Sequence, residues 1–154
     1  MKIIYCCFGG AHTSVTCASI HLGFLPQDRI PQRKEFAGVP FYDKMENKEL
    51  GSIQYVGRDE FSHDIYIMGA ANARPLVANG IYSYLKSCDI SQQEIMLVNA
   101  LVELNPITSI GGIASRRLHL IKQGRPMTVW GIRKSYPLLV QLVLRVKETV
   151  ARYN

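Results

Sequence analysis

The stretch Lys2-Ile3-Ile4-Tyr5-Cys6-Cys7-Phe8-Gly9-Gly10-Ala11-His12-Thr13-Ser14 decides how the chain is read. Residues 2–8 are almost continuously apolar, the pattern of a strand covered on both faces. The run stops at two adjacent glycines. A helical pattern follows from about Thr13 to Leu22, with Val15, Ala18 and Leu22 on one side and Gly23 as its stop. A strand, a glycine turn and a helix N-terminus in that order make an anion site. The turn lets backbone N–H groups point at a ligand, and the helix end adds partial positive charge.

Working outward, Pro26 and Pro31 bracket a connection, and residues 33–37 form a helical turn before Gly38-Val39-Pro40. Residues 51–56 read as a short strand, 57–63 as a polar turn, and 64–68 as a second strand ending at Gly69, which together predict a hairpin. Asn72 and Pro75 start a helix whose apolar side carries Leu76, Val77, Ile81, Tyr84 and Leu85. Residues 94–98 form another buried-type strand, running into Asn99. Thr108 and Ser109 are N-cap candidates for a helix reaching about Gln123, with Gly124 and Pro126 as stop signals. Residues 127–130 read as a last strand ending at Gly131. Ser135 and Pro137 then open a final helix carrying Leu139, Leu142, Val143, Val146 and Val150.

Alternating strands and helices predict one α/β domain over residues 1–154: a three-layer α/β/α sandwich, mainly parallel, with P-loop-like or Rossmann-like topology. Ligands of such sheets bind beyond the carboxyl ends of the strands. Those ends fall at Gly9-Gly10, Gly69, Asn99 and Gly131.

Composition narrows the function classes. The 154 residues are 47% hydrophobic and 19% charged, ordinary for a globular protein, and no apolar run approaches the ~20 residues of a membrane span. Glycines and His12 interrupt the N-terminal apolar run within ten residues, unlike a signal peptide, so a cytoplasmic protein without a membrane partner is expected. Cys6, Cys7, Cys17 and Cys88 lack metal-site spacing. Cys6, Cys17 and Cys88 read as small buried hydrophobes, no metal cluster is evident, and the pattern names no cofactor. Net charge is +6, and from Arg116 onward nine Lys/Arg face a single acid, Glu148. Without a dense basic run or interleaved aromatics, a small anionic or phosphorylated ligand is the expected partner ahead of nucleic acid.

The turn at residues 9–14 is not a Walker loop, whose lysine reaches the β/γ-phosphates. With His12 in the lysine position, Ala11 and Cys6 occupy the two glycine positions. The segment from Cys7 to Ser14 is similar to the Cys-x5-Arg-Ser/Thr loop of low-molecular-weight tyrosine phosphatases and arsenate reductases. That resemblance implies a thiolate nucleophile facing an anion held by backbone N–H groups. Thr13 stands where the arginine of that loop would grip phosphoryl oxygens.

A second glycine pair, Gly111-Gly112, precedes Arg116-Arg117. Glycine in a helix interior costs about 1 kcal/mol against alanine, so these two suit a first turn that a ligand approaches closely. Arg117 shares an apolar face with Ile113 and Ile121 and requires a partner there. Arg116 or Arg117 therefore supplies the missing cation in this reading. The candidate site is Cys7 and His12 for chemistry, with Gly9, Gly10, Ala11, Thr13, Ser14, Gly111, Gly112, Arg116 and Arg117 for phosphate. His12 sits in the turn, suited to proton transfer near neutrality. His21, His63 and His119 are scattered, Asp43, Asp59 and Asp64 have no fixed place, and Arg133-Lys134 follow the last strand.

Residues 4–14, together with Ile20-His21-Leu22-Gly23, Ile110-Gly-Gly-Ile-Ala-Ser-Arg-Arg117 and Gly131-Ile-Arg-Lys-Ser-Tyr136, resemble an uncharacterised family of Firmicutes proteins, domain of unknown function 3189. The resemblance covers nearly the whole chain and implies a bacterial, cytoplasmic, single-domain protein. It carries no catalytic residue. Two function classes follow: binding of a phosphate-bearing small molecule with phosphoryl transfer or hydrolysis as its enzymatic form, or non-catalytic binding of a partner through the same loops.

Overall fold

The structure is a computed structural model and describes residues 1–101 and 121–152. Four strands, β1 (Lys2–Cys7), β2 (Ile53–Arg58), β3 (Asp64–Gly69) and β4 (Ile95–Asn99), form one sheet in the order β2-β3-β1-β4. β1 runs parallel to β3, from Lys2 opposite Asp64 to Cys7 opposite Gly69, and parallel to β4 on its other side. β2 is antiparallel to β3, with an irregularity between Tyr55 and Gly57. The expected hairpin is therefore present, and it makes the sheet mixed.

Side-chain alternation in β1 divides the apolar residues into two groups. Ile3, Tyr5 and Cys7 pack with Ile65, Ile67, helix α1 (Thr13–His21) and the long helix α3 (Ile121–Ala151). Ile4 and Cys6 pack on the opposite face with Met68, Ala70 and the Val77 and Ile81 side of helix α2 (Arg74–Ser87). All nine residues of α1 are buried, because sheet and α3 enclose it from opposite sides. Gly23 ends α1 as expected: at φ +74° it lets its own N–H reach Ile20 O and the N–H of Phe24 reach Ser19 O.

Four expectations are corrected. Residues 127–130 are not a strand, and Ser135-Pro137 do not begin a helix. Both lie inside α3, as do the stop signals Gly124 and Pro126 and the strand end at Gly131. A run as short as Met127-Thr128-Val129-Trp130 carries no period of its own, so neighbouring residues decide its state. Here Val129, Ile132, Tyr136, Leu139, Val143, Val146 and Val150 are all buried, at spacings of three or four residues. One helical face thus runs past Gly131 and Pro137, and its burial against α1 outweighs their local cost.

The apolar side expected for α2 is also reassigned. Leu85 is buried and Val77 and Ile81 face the sheet, but Leu76 is 73% and Tyr84 68% exposed. Finally, Cys6 and Cys17 are buried, whereas Cys88 is exposed. The helix expected from Thr108 to Gln123 lies outside the described residues except for its last three, which belong to α3. Among the described residues no helix is long and apolar enough to cross a membrane.

Candidate functional site

The two parallel neighbours of β1 come from later in the chain, one on each side, and α1 and α2 lie on opposite faces. The carboxyl end of β1 is therefore a switch point, where such sheets open a crevice. The strand ends are tied together there. Cys6 O accepts from Ala100 N–H at 2.8 Å, Cys7 O from Ala70 N–H at 3.0 Å, and Phe8 O from Ala71 N–H at 2.8 Å.

Beyond Cys7 the chain doubles back through Gly10, whose φ of +70° favours glycine. This turn aims donors at one atom. Gly10 N–H donates to Cys7 Sγ at 3.0 Å, and Ser14 Oγ lies 3.1 Å from the same sulfur. Burial, the strongest influence on the thiol, pushes its pKa up. Hydrogen bonds from the Ser14 hydroxyl and N–H, the Thr13 hydroxyl and the Gly10 N–H outweigh it, and the net shift is downward. The first turn of α1 contributes because its N–H groups have no intrahelical acceptor. His12, at the N-cap, makes no side-chain cap, and the first turn holds no acid.

His12 instead turns to a partner from a distant segment. Its Nε2 meets Asp43 Oδ1, and its ring stands edge-on to Tyr42 with centroids 5.5 Å apart. Asp43 N–H also donates to Ala11 O at 3.3 Å, so residues 41–43 cover the turn. Phe41 and Asp43 hold left-handed backbones at φ +63° and +57°. Such conformations cost about 1–2 kcal/mol each in a side-chain-bearing residue. Cys7, Thr13 and Ser14 are buried beneath this cover, while the His12 side chain remains 19% exposed.

Of the candidate residues, Cys7, Gly10, Thr13 and Ser14 meet at the Cys7 sulfur, and Gly9, Ala11 and His12 belong to the same turn. Gly111, Gly112, Arg116, Arg117 and His119 lie outside the described residues. Arg133 and Lys134 sit on α3, where Arg133 Nε donates to Pro31 O at 3.0 Å and Lys134 lies over the Trp130 ring. Asp64 pairs with Arg58 at 2.8 Å at the amino end of the sheet. Among the described residues no group of three or more His, Cys, Asp or Glu is placed to hold a metal.

Two histidines read as scattered meet at that amino end. Asp59 Oδ2 lies 3.0 Å from both His21 Nε2 and His63 Nδ1. Its Oδ1 accepts the N–H groups of Phe61 at 2.9 Å and His63 at 2.8 Å. Tyr5 Oη lies 2.8 Å from His21 Nδ1. With Asp59 ionised, protons fall into place if Tyr5 O–H donates to Nδ1 and His21 Nε2–H donates to the carboxylate, so that His21 is neutral. The signal for this network was the hairpin itself, whose turn brings Asp59 next to His63. What no local pattern shows is that the end of α1 lands on the same carboxylate.

No curated protein and no solved structure matches the chain. The family model described as Protein of unknown function (DUF3189) matches residues 2–148, and the chain belongs to that family.

Proposed function

We propose that the chain binds the phosphate group of a small molecule at the Cys7–Ser14 turn, and that phosphoryl transfer or hydrolysis through Cys7 or His12 is the enzymatic form of this activity. The observation that carries the reading is the convergence of Gly10 N–H and the Ser14 hydroxyl on Cys7 Sγ at 3.0 and 3.1 Å. Donors that stabilise a thiolate are the donors an incoming phosphoryl oxygen needs. His12, steadied by Asp43, is the proton carrier of the same site. Arg116 or Arg117 supplies the cation that Thr13 does not. Ligand entry displaces residues 41–43, whose left-handed backbones favour such a movement.

The test is alkylation of Cys7 by iodoacetamide near neutral pH, in a Cys88→Ser chain so that the exposed thiol is silent. Inorganic phosphate, arsenate or phenyl phosphate is expected to slow labelling and raise the melting temperature. If none of the three does more than chloride at equal ionic strength, the reading is abandoned. One observation favours a non-catalytic, partner-binding role as the second reading: Leu76 and Tyr84 lie outward on α2, 73% and 68% exposed.

A further inference from the structure

The opposite face of the sheet holds a cavity of about 300 Å³ at the carboxyl ends of β1, β3 and β4, with the start of α2 as its far wall. That volume stands at the lower end of the roughly 300–1,000 Å³ usual for small-molecule pockets. Cys6, Met68, Ala78 and Leu97 line it with apolar surface, and Arg74 and Asn99 are its polar groups. Cys6 and Cys7 are consecutive in a strand and point to opposite faces, so this cavity is separate from the Cys7 turn.

The chemistry of the two polar groups is one-sided. Asn99 Oδ1 is occupied by Leu101 N–H at 3.1 Å, which leaves the carboxamide its N–H donors. Arg74 Nη1 donates to Ala71 O at 2.7 Å, which fixes the guanidinium and leaves its other N–H groups for a ligand. Among the described residues no carboxylate pairs with Arg74. Burial pushes the Cys6 thiol up to about 12, so the wall contributes no negative charge. An occupant must present acceptors to both groups, and one negative charge to match one guanidinium. A dianionic phosphate would leave a charge uncompensated against apolar wall. A planar carboxylate matches the fork of the guanidinium.

We infer that this cavity is a binding site for a small monocarboxylic acid with a single-ring or short-chain apolar body, its carboxylate held by Arg74 and Asn99 and its body against Met68, Ala78 and Leu97. The site does not depend on phosphate binding at the Cys7 turn.

An NMR titration of the full chain with benzoate, hexanoate, benzyl alcohol and inorganic phosphate tests it. Benzoate or hexanoate is expected to shift the amides of Arg74, Ala78, Leu97 and Asn99 saturably at millimolar concentration. Benzyl alcohol should bind roughly tenfold or more weakly, and Arg74→Gln should weaken the acid by a similar factor, the loss of a charge-assisted contact. Ala78→Phe should fill the cavity and abolish the shifts. Should that variant fail to fold, Arg74→Gln, at the first position of α2, still decides the matter. The proposal is overturned if neither acid shifts these amides, if benzyl alcohol binds equally well, if Arg74→Gln leaves affinity unchanged, or if inorganic phosphate shifts the same amides as strongly.

Discussion

Gly10 and Gly69 meet backbone to backbone at the ends of β1 and β3. A methyl group on Gly10 would stand 2.8 Å from Gly69 N, and one on Gly69 would stand 2.7 Å from the carbonyl carbon of Gly9. Neither clash can be relieved by a side-chain rotation, since both obstacles are main chain. The close approach seats the turn over the sheet and brings Gly10 N–H to the Cys7 sulfur.

Gly69→Ala is therefore expected to destabilise the fold by about 1–3 kcal/mol through overpacking alone. Gly10→Ala carries the same clash and a left-handed backbone, and should cost about 2–5 kcal/mol. Urea unfolding of the two variants checks the order. Equal, near-zero losses would mean that the turn does not sit on β3 in this way.

Much of this arrangement is legible in the chain, and the remainder is missing for definable reasons. Local stretches carry their own signals: β1 reads as doubly buried and Gly23 as a stop, and the hairpin is legible although its turn is 59–63, Gly57 and Arg58 belonging to β2. Period tells which face of an element is apolar. It does not tell which neighbour that face finds, so Leu76 and Tyr84 share a pattern with Leu85 although only Leu85 of the three is buried. Nor does it reach across the chain. Asp43 meets His12 from 31 residues away and Asp59 meets His21 from 38, and neither acid stands in a motif. Residues 127–130 differ for another reason: Gly131 and Pro137 break a helix locally, and a helix long enough to bury a continuous face over α1 overrides them.

The helix ends offer a stabilising change. Asp89 sits at φ +55°, where its N–H reaches Lys86 O at 3.3 Å and the N–H of Ile90 reaches Leu85 O at 3.0 Å. This is the geometry Gly23 adopts after α1, with an aspartate in the glycine position. Asp89→Gly should raise stability by about 0.5–1 kcal/mol, read as a higher urea midpoint with unchanged slope. A lower midpoint would show that the Asp89 side chain holds the turn.

The Tyr5–His21–Asp59–His63 network makes the protein acid-sensitive in a predictable order. Burial, opposed by the bond to Asp59, holds His21 below its ordinary value of 6.5. The native state therefore keeps it neutral, while the unfolded chain takes up a proton as pH falls below 6.5. Stability is lost across that range down to the native pKa of His21. Burial would raise the Asp59 carboxyl, but the hydrogen bonds from His63, His21 and Phe61 outweigh it and leave it below 3.8. Its contribution is complete above 3.8 and disappears as pH falls through its native value. Asp59→Asn should cost about 2–4 kcal/mol at pH 7, because whichever way the carboxamide turns, its N–H₂ confronts N–H donors, either the imidazoles or the main chain of Phe61 and His63. Denaturant unfolding of wild type at pH 7.5 and 5.5 checks the His21 statement, and Asp59→Asn against wild type at pH 7 checks the cost. A wild-type stability that does not fall over this range would rule out a neutral His21.

The Cys7 turn predicts a thiol whose reactivity depends on one hydroxyl. Ser14 supplies the strongest of the hydrogen bonds that lower Cys7 below its ordinary value of 9.0, against the opposing pull of burial. In a Cys88→Ser chain, the pH profile of iodoacetamide labelling at Cys7 should have its midpoint below 9.0, and Ser14→Ala should move the midpoint upward. The linkage runs the same way. A thiol lowered on folding adds stability that is complete above 9.0 and lost as pH falls through its native pKa, so wild type should gain on Cys7→Ala as pH rises through that window. The two readouts separate access from ionisation. A midpoint that ignores Ser14→Ala, with labelling slow at every pH, would mean that the cover at residues 41–43 governs the thiol. In that case Asp43→Asn, which weakens the contact with His12, would be the change that speeds labelling.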